Sequence, residues 1–292
     1  MNVLVTGSNG NLGCELRRLA ADSTDRFVFT DIGERPGEET IHLDITNREA
    51  VEIIVRGESI DLIVNCAAYT NVDKAEDDVG FAAAINHDAP EILAHIAKET
   101  GATLIHISTD YVFSGEGNTP IRESAAPAPR SVYGSTKLAG EKAIQKSGCK
   151  SIILRTAWLY SPYGRNFLTT MRSLMSSREE LSVVCDQVGS PTSAADLAAL
   201  IMHIITARKT GKTGLYHYSD EGAVSWYDFA QAVMEMTGAQ CAVNPIFTCQ
   251  YPAKAPRPAY SVFNLSKIKQ ELSLEIPYWR KSLCLTINKL QQ

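Results

Sequence analysis

The sequence predicts an α/β protein built on a doubly wound parallel sheet. Three observations point there. Short apolar runs alternate with helical patterns through the first half of the chain. Those runs are continuous rather than alternating, as strands covered on both faces are. A glycine-rich GxxGxxG segment joins the first run to the first helix.

Asn2–Thr6 is the first β-rich run, and an amphipathic helix follows over Leu12–Ala21. Further strands are expected at Arg26–Thr30, Asp61–Cys66, Ala102–Ile107 and Ser151–Arg155. Helices are expected near Arg48–Val55, Ala89–Thr100 and Tyr133–Gln145. Right-handed crossovers then wind the chain into a Rossmann-type sheet. After Thr156 the pattern loosens. Helices remain readable at Ala194–Thr206, Ser225–Thr237 and Trp279–Leu290, and strands at Leu181–Val184 and Leu215–Tyr218. The Pro-rich stretch Tyr251–Pro258 cannot be helical and should wrap the surface or a cleft. The division expected is a dinucleotide-binding domain over 1–155, with segments around 168–190 and 223–240 returning to it. The remainder of 156–292 forms a smaller, interleaved α/β substrate-binding lobe. No internal repeat or low-complexity segment occurs.

The chain has 292 residues, 45% hydrophobic and 21% charged, as a globular protein does. Its net charge of −5 argues against nucleic acid as a partner. No apolar stretch suffices to cross a bilayer, and Met1–Val5 leads directly into folded sequence without a signal peptide. The seven cysteines form no CxxC pair and read as reduced, cytoplasmic thiols. His42, His87, His95, His106, His203 and His217 show no metal-ligand spacing. His106 could face either side of its strand.

The loop Gly7-Ser8-Asn9-Gly10-Asn11-Leu12-Gly13 has the strand–turn–helix context of a pyrophosphate cradle. An ordinary βα turn is the plainer alternative. Asp31 ends the second strand, where a carboxylate can accept from ribose hydroxyls and repel a 2′-phosphate. This favours NADH over NADPH, softened by the nearby Arg35. Asp44 could receive the adenine amino group, and Ile45 could pack on its ring.

Tyr133 and Lys137 stand four apart on a helix and so share a face. An ammonium beside a phenol lowers its pKa, which suits proton exchange. The pair follows a buried strand ending in Ser108-Thr109-Asp110, at the sheet edge where such folds bind ligands.

These motifs, with Asn65-Cys66-Ala67-Ala68 and Ser108–Phe113, resemble the extended short-chain dehydrogenase/reductase superfamily. Within it the chain is similar to the dTDP-4-dehydrorhamnose reductase family. Ala68–Glu76, Val132–Glu141, Arg155–Tyr160, Asp186–Thr192 and Arg257-Pro258 carry that likeness over nearly the whole chain. The resemblance implies NAD(P)H-dependent reduction of the C4 ketone of dTDP-4-dehydro-β-L-rhamnose to dTDP-L-rhamnose. Tyr133 would donate the proton, Lys137 would tune it and hold the nicotinamide ribose, and Thr109 would bond the reacting oxygen. Ala67, Ala68 and Thr70 would line the cofactor channel, with Asn86 near the nicotinamide. Asp110, Tyr111 and Trp158 would border the sugar, and Asn166, Phe167 and Arg257 would hold the nucleotide. A homodimer is allowed. Some relatives hold a divalent ion at a dimer interface. Glu15 is present, but no acid follows Pro191 until Asp196, so no required metal is expected.

Without the resemblance, Tyr111 and Trp158 read as core aromatics, and Arg257 as a solvated loop charge. The rival activities are a 4,6-dehydratase, a 4-epimerase and a non-catalytic reductase-like regulatory subunit. Dehydratases carry Asp-Glu after the threonine of the site, and Tyr111 in place of that Glu disfavours dehydration. An epimerase would use the same Tyr and Lys without consuming reductant. Intact Thr109, Tyr133 and Lys137 favour an enzyme over a binding subunit.

Overall fold

A computed structural model describes residues 1–291. The chain opens with β1 (Asn2–Thr6), α1 (Asn11–Ala20), β2 (Arg26–Asp31), β3 (Ile41–His42), α2 (Arg48–Gly57) and β4 (Leu62–Asn65). Short helices α3 (Val72–Ala75) and α4 (Val79–Ala83) lead through a π-helical turn, Ala84–Asp88, into α5 (Ala89–Thr100). Then come β5 (Thr103–Thr109), α6 (Val132–Ser147) and β6 (Lys150–Thr156). The second half contains β7 (Leu159–Tyr160), α7 (Phe167–Met175), β8 (Glu180–Val184), β9 (Val188–Gly189), β10 (Thr192–Ser193) and α8 (Ala194–Thr206). It closes with β11 (Gly214–His217), β12 (Val224–Ser225), α9 (Trp226–Thr237), β13 (Ala242–Ile246), α10 (Ser266–Leu272) and α11 (Trp279–Gln291).

Seven strands form one sheet in the order β11-β6-β5-β4-β1-β2-β3, and every pairing within it is parallel. The chain reverses its direction of winding between β1 and β4, which opens a crevice at their carboxyl ends. Alternate side chains of one strand serve opposite faces. Val3 and Val5 of β1 pack with Leu12 and Leu16 of α1 and with Leu197, Ile201 and Ile204 of α8. Leu4 packs on the other face with Val51, Val55, Leu93 and Ile144. Burial on both faces explains the unbroken apolar runs.

The smaller lobe has its own core, in which Leu168, Met171, Leu181, Val183, Phe229, Val243 and Leu283 meet. This corrects the expected division. The segments around 168–190 and 223–240 build the lobe. α8, β11 and α10 are what return to the sheet. Helical periodicity reports that a face is buried but not against which neighbour, so it could not separate these cases.

α6 lies unusually close to the π-helical turn. A Cβ on Gly140 would fall 2.2 Å from the backbone oxygen of Asn86. Gly140→Ala is therefore expected to destabilise the fold by about 2 kcal/mol, read as a lowered urea midpoint; wild-type stability would show that the two helices are less tightly apposed.

Candidate functional site

The glycine loop fits a dinucleotide phosphate by its sterics. Gly7 has φ +64°, and a Cβ there would lie 2.6 Å from the backbone nitrogen of Ala67. A Cβ on Gly13 would lie 2.4 Å from Ser8 Cα. Gly10 is the N-cap of α1 and brings no side chain to the N–H groups of Asn11, Leu12 and Gly13. These groups therefore face the crevice as anion donors. Asp31 Oδ2 accepts the N–H of Asn9 at 3.0 Å and Oδ1 that of Gly33 at 3.0 Å. A carboxylate keeps lone pairs beyond two such bonds, so Asp31 can still accept from ribose hydroxyls. Ala67 and Ala68 are half-buried beside this loop, and Thr70 is exposed.

At the end of β5, Thr109 caps the turn Asp110–Val112. Its Oγ1 accepts the N–H of Tyr111 at 3.2 Å and donates to Asp110 Oδ1 at 3.0 Å. Tyr133 sits in the first turn of α6, whose N-cap Ser131 accepts the N–H of Gly134 at 3.1 Å. The carboxylate of Glu76 accepts the N–H of Val132 at 2.8 Å. Gly134 inside the Tyr–Lys motif is steric: a Cβ there would lie 2.2 Å from the oxygen of Tyr111. That approach lets the Tyr111 and Tyr133 rings meet edge to face at 5.3 Å. Thr109, Asp110, Tyr111, Tyr133 and Lys137 are thus brought together at the carboxyl edge of the sheet.

The electrostatics differ from the sequence expectation. Burial pushes the Tyr133 phenol up to about 12; a hydrogen bond to Thr109 pulls it down, and the Asp110 charge pushes it up. No hydrogen bond joins Tyr133 to Lys137. The ammonium instead donates to the Ile107 oxygen at 2.6 Å and lies 3.4 Å from His106 Nε2. Burial lowers Lys137 to about 8, opposed by the charge of Glu141. A shared helical face placed both groups in one space but did not set where the ammonium points. Burial also raises Asp110 to about 6, opposed by the bond from Thr109. Its Oδ2 is buried and unpartnered.

Several expected ligand residues are committed to the protein. The Asn166 amide lies within bonding distance of Asn11 Oδ1 (3.1 Å), the Ser161 oxygen (2.9 Å) and the Tyr163 oxygen (3.0 Å). Its own oxygen caps α7 through the N–H of Thr169. Asn166 and Asn11 therefore join the small lobe to α1. Phe167 stacks with Phe229 at 5.4 Å inside the lobe core. Asn86 is fully buried and clasps both backbone polar groups of Tyr69, with Thr136 at 3.3 Å. It holds the channel loop against α6. Ile45 is core, packed with Val51 and Val55, and Asp44 closes a turn by accepting from the N–H and hydroxyl of Thr46. Each of these side chains has a polar or apolar partner within the chain.

Arg257 is paired with Asp73 in a two-pronged contact, Nη2–Oδ2 at 2.6 Å and Nη1–Oδ1 at 3.2 Å. Burial pushes the Tyr111 phenol up, and the nearby Arg257 charge opposes that rise in part. Lys254 pairs with Asp77, so the Pro-rich strap is clasped onto α3 and the turn after it. Trp158 has φ +50°, a rare backbone state for a large residue. Its indole stacks on Trp226 at 3.4 Å, with Gly189 beneath it. The contacts made by Trp226, Gly134 and Asp73 were not foreseen in the sequence. A Ser225–Asp228 capping box was the legible sign of a helix starting at Trp226. Among the described residues, no three His, Cys, Asp or Glu side chains gather to hold a metal, and no helix is long and apolar enough to cross a membrane.

A glycine loop at the switch point of a parallel sheet, with a tyrosine–lysine pair on a helix beside it, is the arrangement of a nicotinamide-dependent oxidoreductase. The chain belongs to the family described as RmlD substrate binding domain, which it matches over residues 1–292. It is 42% identical to dTDP-4-dehydrorhamnose reductase of Escherichia coli K12, covering 99% of this chain and 98% of that one. The solved reductase of Clostridium acetobutylicum superposes with a TM-score of 0.93 at 39% identity, covering 100% of both chains. A Bacillus anthracis reductase in complex with NADP does so with 0.90 at 36% identity, covering 99% of each.

Two outcomes follow from this geometry. The folded state holds the Asp110 proton more tightly than the unfolded chain, so stability falls as pH rises through about 6. Asp110→Asn should come close to wild type near pH 4 and exceed it by up to about 3 kcal/mol at pH 8, measured by denaturant titration. A constant gap across that range would contradict the raised carboxyl. Asp31→Ser should shift the ratio of kcat/KM values toward NADPH; an unchanged ratio would remove Asp31 from ribose recognition.

Proposed function

We propose that the chain reduces the C4 ketone of dTDP-4-dehydro-β-L-rhamnose to dTDP-L-rhamnose at the expense of NAD(P)H. Family membership over the full length supports the reaction. The local observation that carries it is a phenol kept protonated beside a buried threonine at the sheet edge. Reduction of a ketone leaves an alkoxide, and the site must give that oxygen a proton. A tyrosine raised to about 12 is fully protonated at neutral pH, as a proton donor must be. Thr109 is suited to hold the same oxygen through its hydroxyl. When bound, the nicotinamide cofactor supplies the hydride to C4. Gly7, Gly10, Asn11, Leu12 and Gly13 are suited to its pyrophosphate, and Asp31 to its adenosine ribose. Lys137, donating to the Ile107 carbonyl, keeps positive charge at the base of the site.

Tyr111 stands edge-on to Tyr133 and can wall the sugar pocket. Arg257 is suited to the dTDP diphosphate as a rigid fork, and would have to share or exchange its Asp73 contact to serve there. Trp158, stacked on Trp226, offers an aromatic edge to the sugar. We place the reaction in the cytoplasm, a reading supported by seven free cysteines.

The test is to supply the dTDP-4-keto-6-deoxy-L-sugar with NADH or NADPH, follow nicotinamide absorbance and identify the product by NMR. Stoichiometric consumption of reductant is expected; turnover without it would indicate an epimerase. Tyr133→Phe should lower kcat by a factor of about 10² or more, with cofactor affinity nearly unchanged. Wild-type turnover in that variant would remove Tyr133 from the chemistry.

A further inference from the structure

The three central strands carry a polar chain that the reaction outlined above does not use. Thr6, Asn65 and His106 are register partners across β1, β4 and β5. Thr6 Oγ1 lies 2.7 Å from Asn65 Oδ1, and Asn65 Nδ2 lies 3.0 Å from His106 Nδ1. His106 Nε2 lies 3.4 Å from Lys137 Nζ. All three side chains are at most 1% exposed. Apolar residues at these central positions would avoid the desolvation cost of three buried polar groups, yet the chain runs unbroken to the lysine of the site.

We propose that His106 is a positioning residue for the reaction: its neutral imidazole accepts a hydrogen bond from Lys137 through Nε2, and Asn65 and Thr6 hold the tautomer that makes this acceptor available. The proposal rests on the ketoreductase reading. An ammonium has three donors and no acceptor. The Ile107 oxygen takes one of them. Nε2 can take a second only if the imidazole proton sits on Nδ1, which requires Asn65 to present its oxygen there and its NH₂ to Thr6. A carboxamide fits its slot equally well in either orientation. The opposite orientation, the one the structure places, has the Thr6 hydroxyl donating to Asn65 Oδ1 and Asn65 Nδ2 facing His106 Nδ1. It puts a proton on Nε2, aimed at the ammonium, so the proposed contact requires the Asn65 amide to be turned over. One arrangement of the chain therefore matches a charged lysine and its reverse a neutral one.

The ionisable groups around Lys137 are Glu141 and Tyr133 on α6, Cys66 after β4 and His106 on β5. Glu141 is itself paired with Arg155 of β6. Burial and the Lys137 charge hold His106 well below the ordinary histidine range, so it stays a neutral acceptor. Burial works against the ammonium too, and an acceptor at Nε2 offsets part of that penalty. Losing the acceptor should let Lys137 deprotonate at lower pH.

The experiment compares wild type, His106→Leu, His106→Gln and Thr6→Val. Two readouts are used: the pH profile of kcat/KM for ketone reduction, and the ¹³Cε shift of Lys137 through a pH titration, which needs no turnover. In His106→Leu the alkaline limb and the NMR midpoint should both fall by about one pH unit, with kcat/KM at pH 8 down about tenfold. His106→Gln returns an acceptor and should recover most of the shift; Thr6→Val should move the midpoint the same way by less. An unmoved Lys137 midpoint in His106→Leu overturns the proposal, as does an equal loss in the Leu and Gln variants. Should the Leu variant fail to fold, a wild-type midpoint in Thr6→Val overturns it instead. Absence of ketone reduction in wild type would sink the functional reading, while the NMR titration would still decide the His106–Lys137 contact.

Discussion

The site depends on a buried ion pair. Glu141 of α6 and Arg155 of β6 are 1% and 2% exposed and meet through two bonds, at 2.9 and 2.7 Å. Ser108 of β5 donates to the same carboxylate. Stranding either charge would cost roughly 3–5 kcal/mol, so α6 has one depth and one rotation against the sheet. Glu141 is one helical turn beyond Lys137, and the pair therefore sets how far Lys137 reaches under β5. Gly134 and Gly140 complete this docking by removing the side chains that would hold α6 away from Tyr111 and Asn86.

Given that docking, burial rather than charge governs the site. Tyr133, Tyr111 and Asp110 all shift toward their protonated forms, and Lys137 and His106 toward their neutral ones. Desolvation penalises the charged form of every group alike. The cost falls on charged states alone, so the Tyr133 phenol is held in its protonated form and made a weaker acid than a free tyrosine. The strap is organised on the opposite principle. Arg257–Asp73 and Lys254–Asp77 are more open contacts between charges, which exchange partners at small cost. A buried phenol thus lies beside a clasp whose arginine can change partners.

Much of the fold was legible because strands buried on both faces leave uninterrupted apolar runs. β1 and β6 fall within a residue of their expected limits, and α5 and α8 match theirs. α7, β13 and α10 were not foreseen, being short and weakly patterned. The glycine loop and the Tyr133–Lys137 spacing were equally plain, since each depends on local geometry over a few residues. Asn166, Phe167, Asn86 and Ile45 have partners within the chain that were not legible. Each is satisfied by neighbours that sequence distance conceals; Asn166 meets Asn11 across 155 positions.

By itself the sequence determined the parallel sheet, the phosphate loop and the helix face shared by Tyr133 and Lys137, because periodicity and steric exclusion act within a few residues. The tertiary structure decided which segments build the small lobe, where the Lys137 ammonium points and that the Tyr133 phenol is raised rather than lowered. Those outcomes depend on the dielectric surroundings and competing partners of each group, and both are set by segments far apart in the chain.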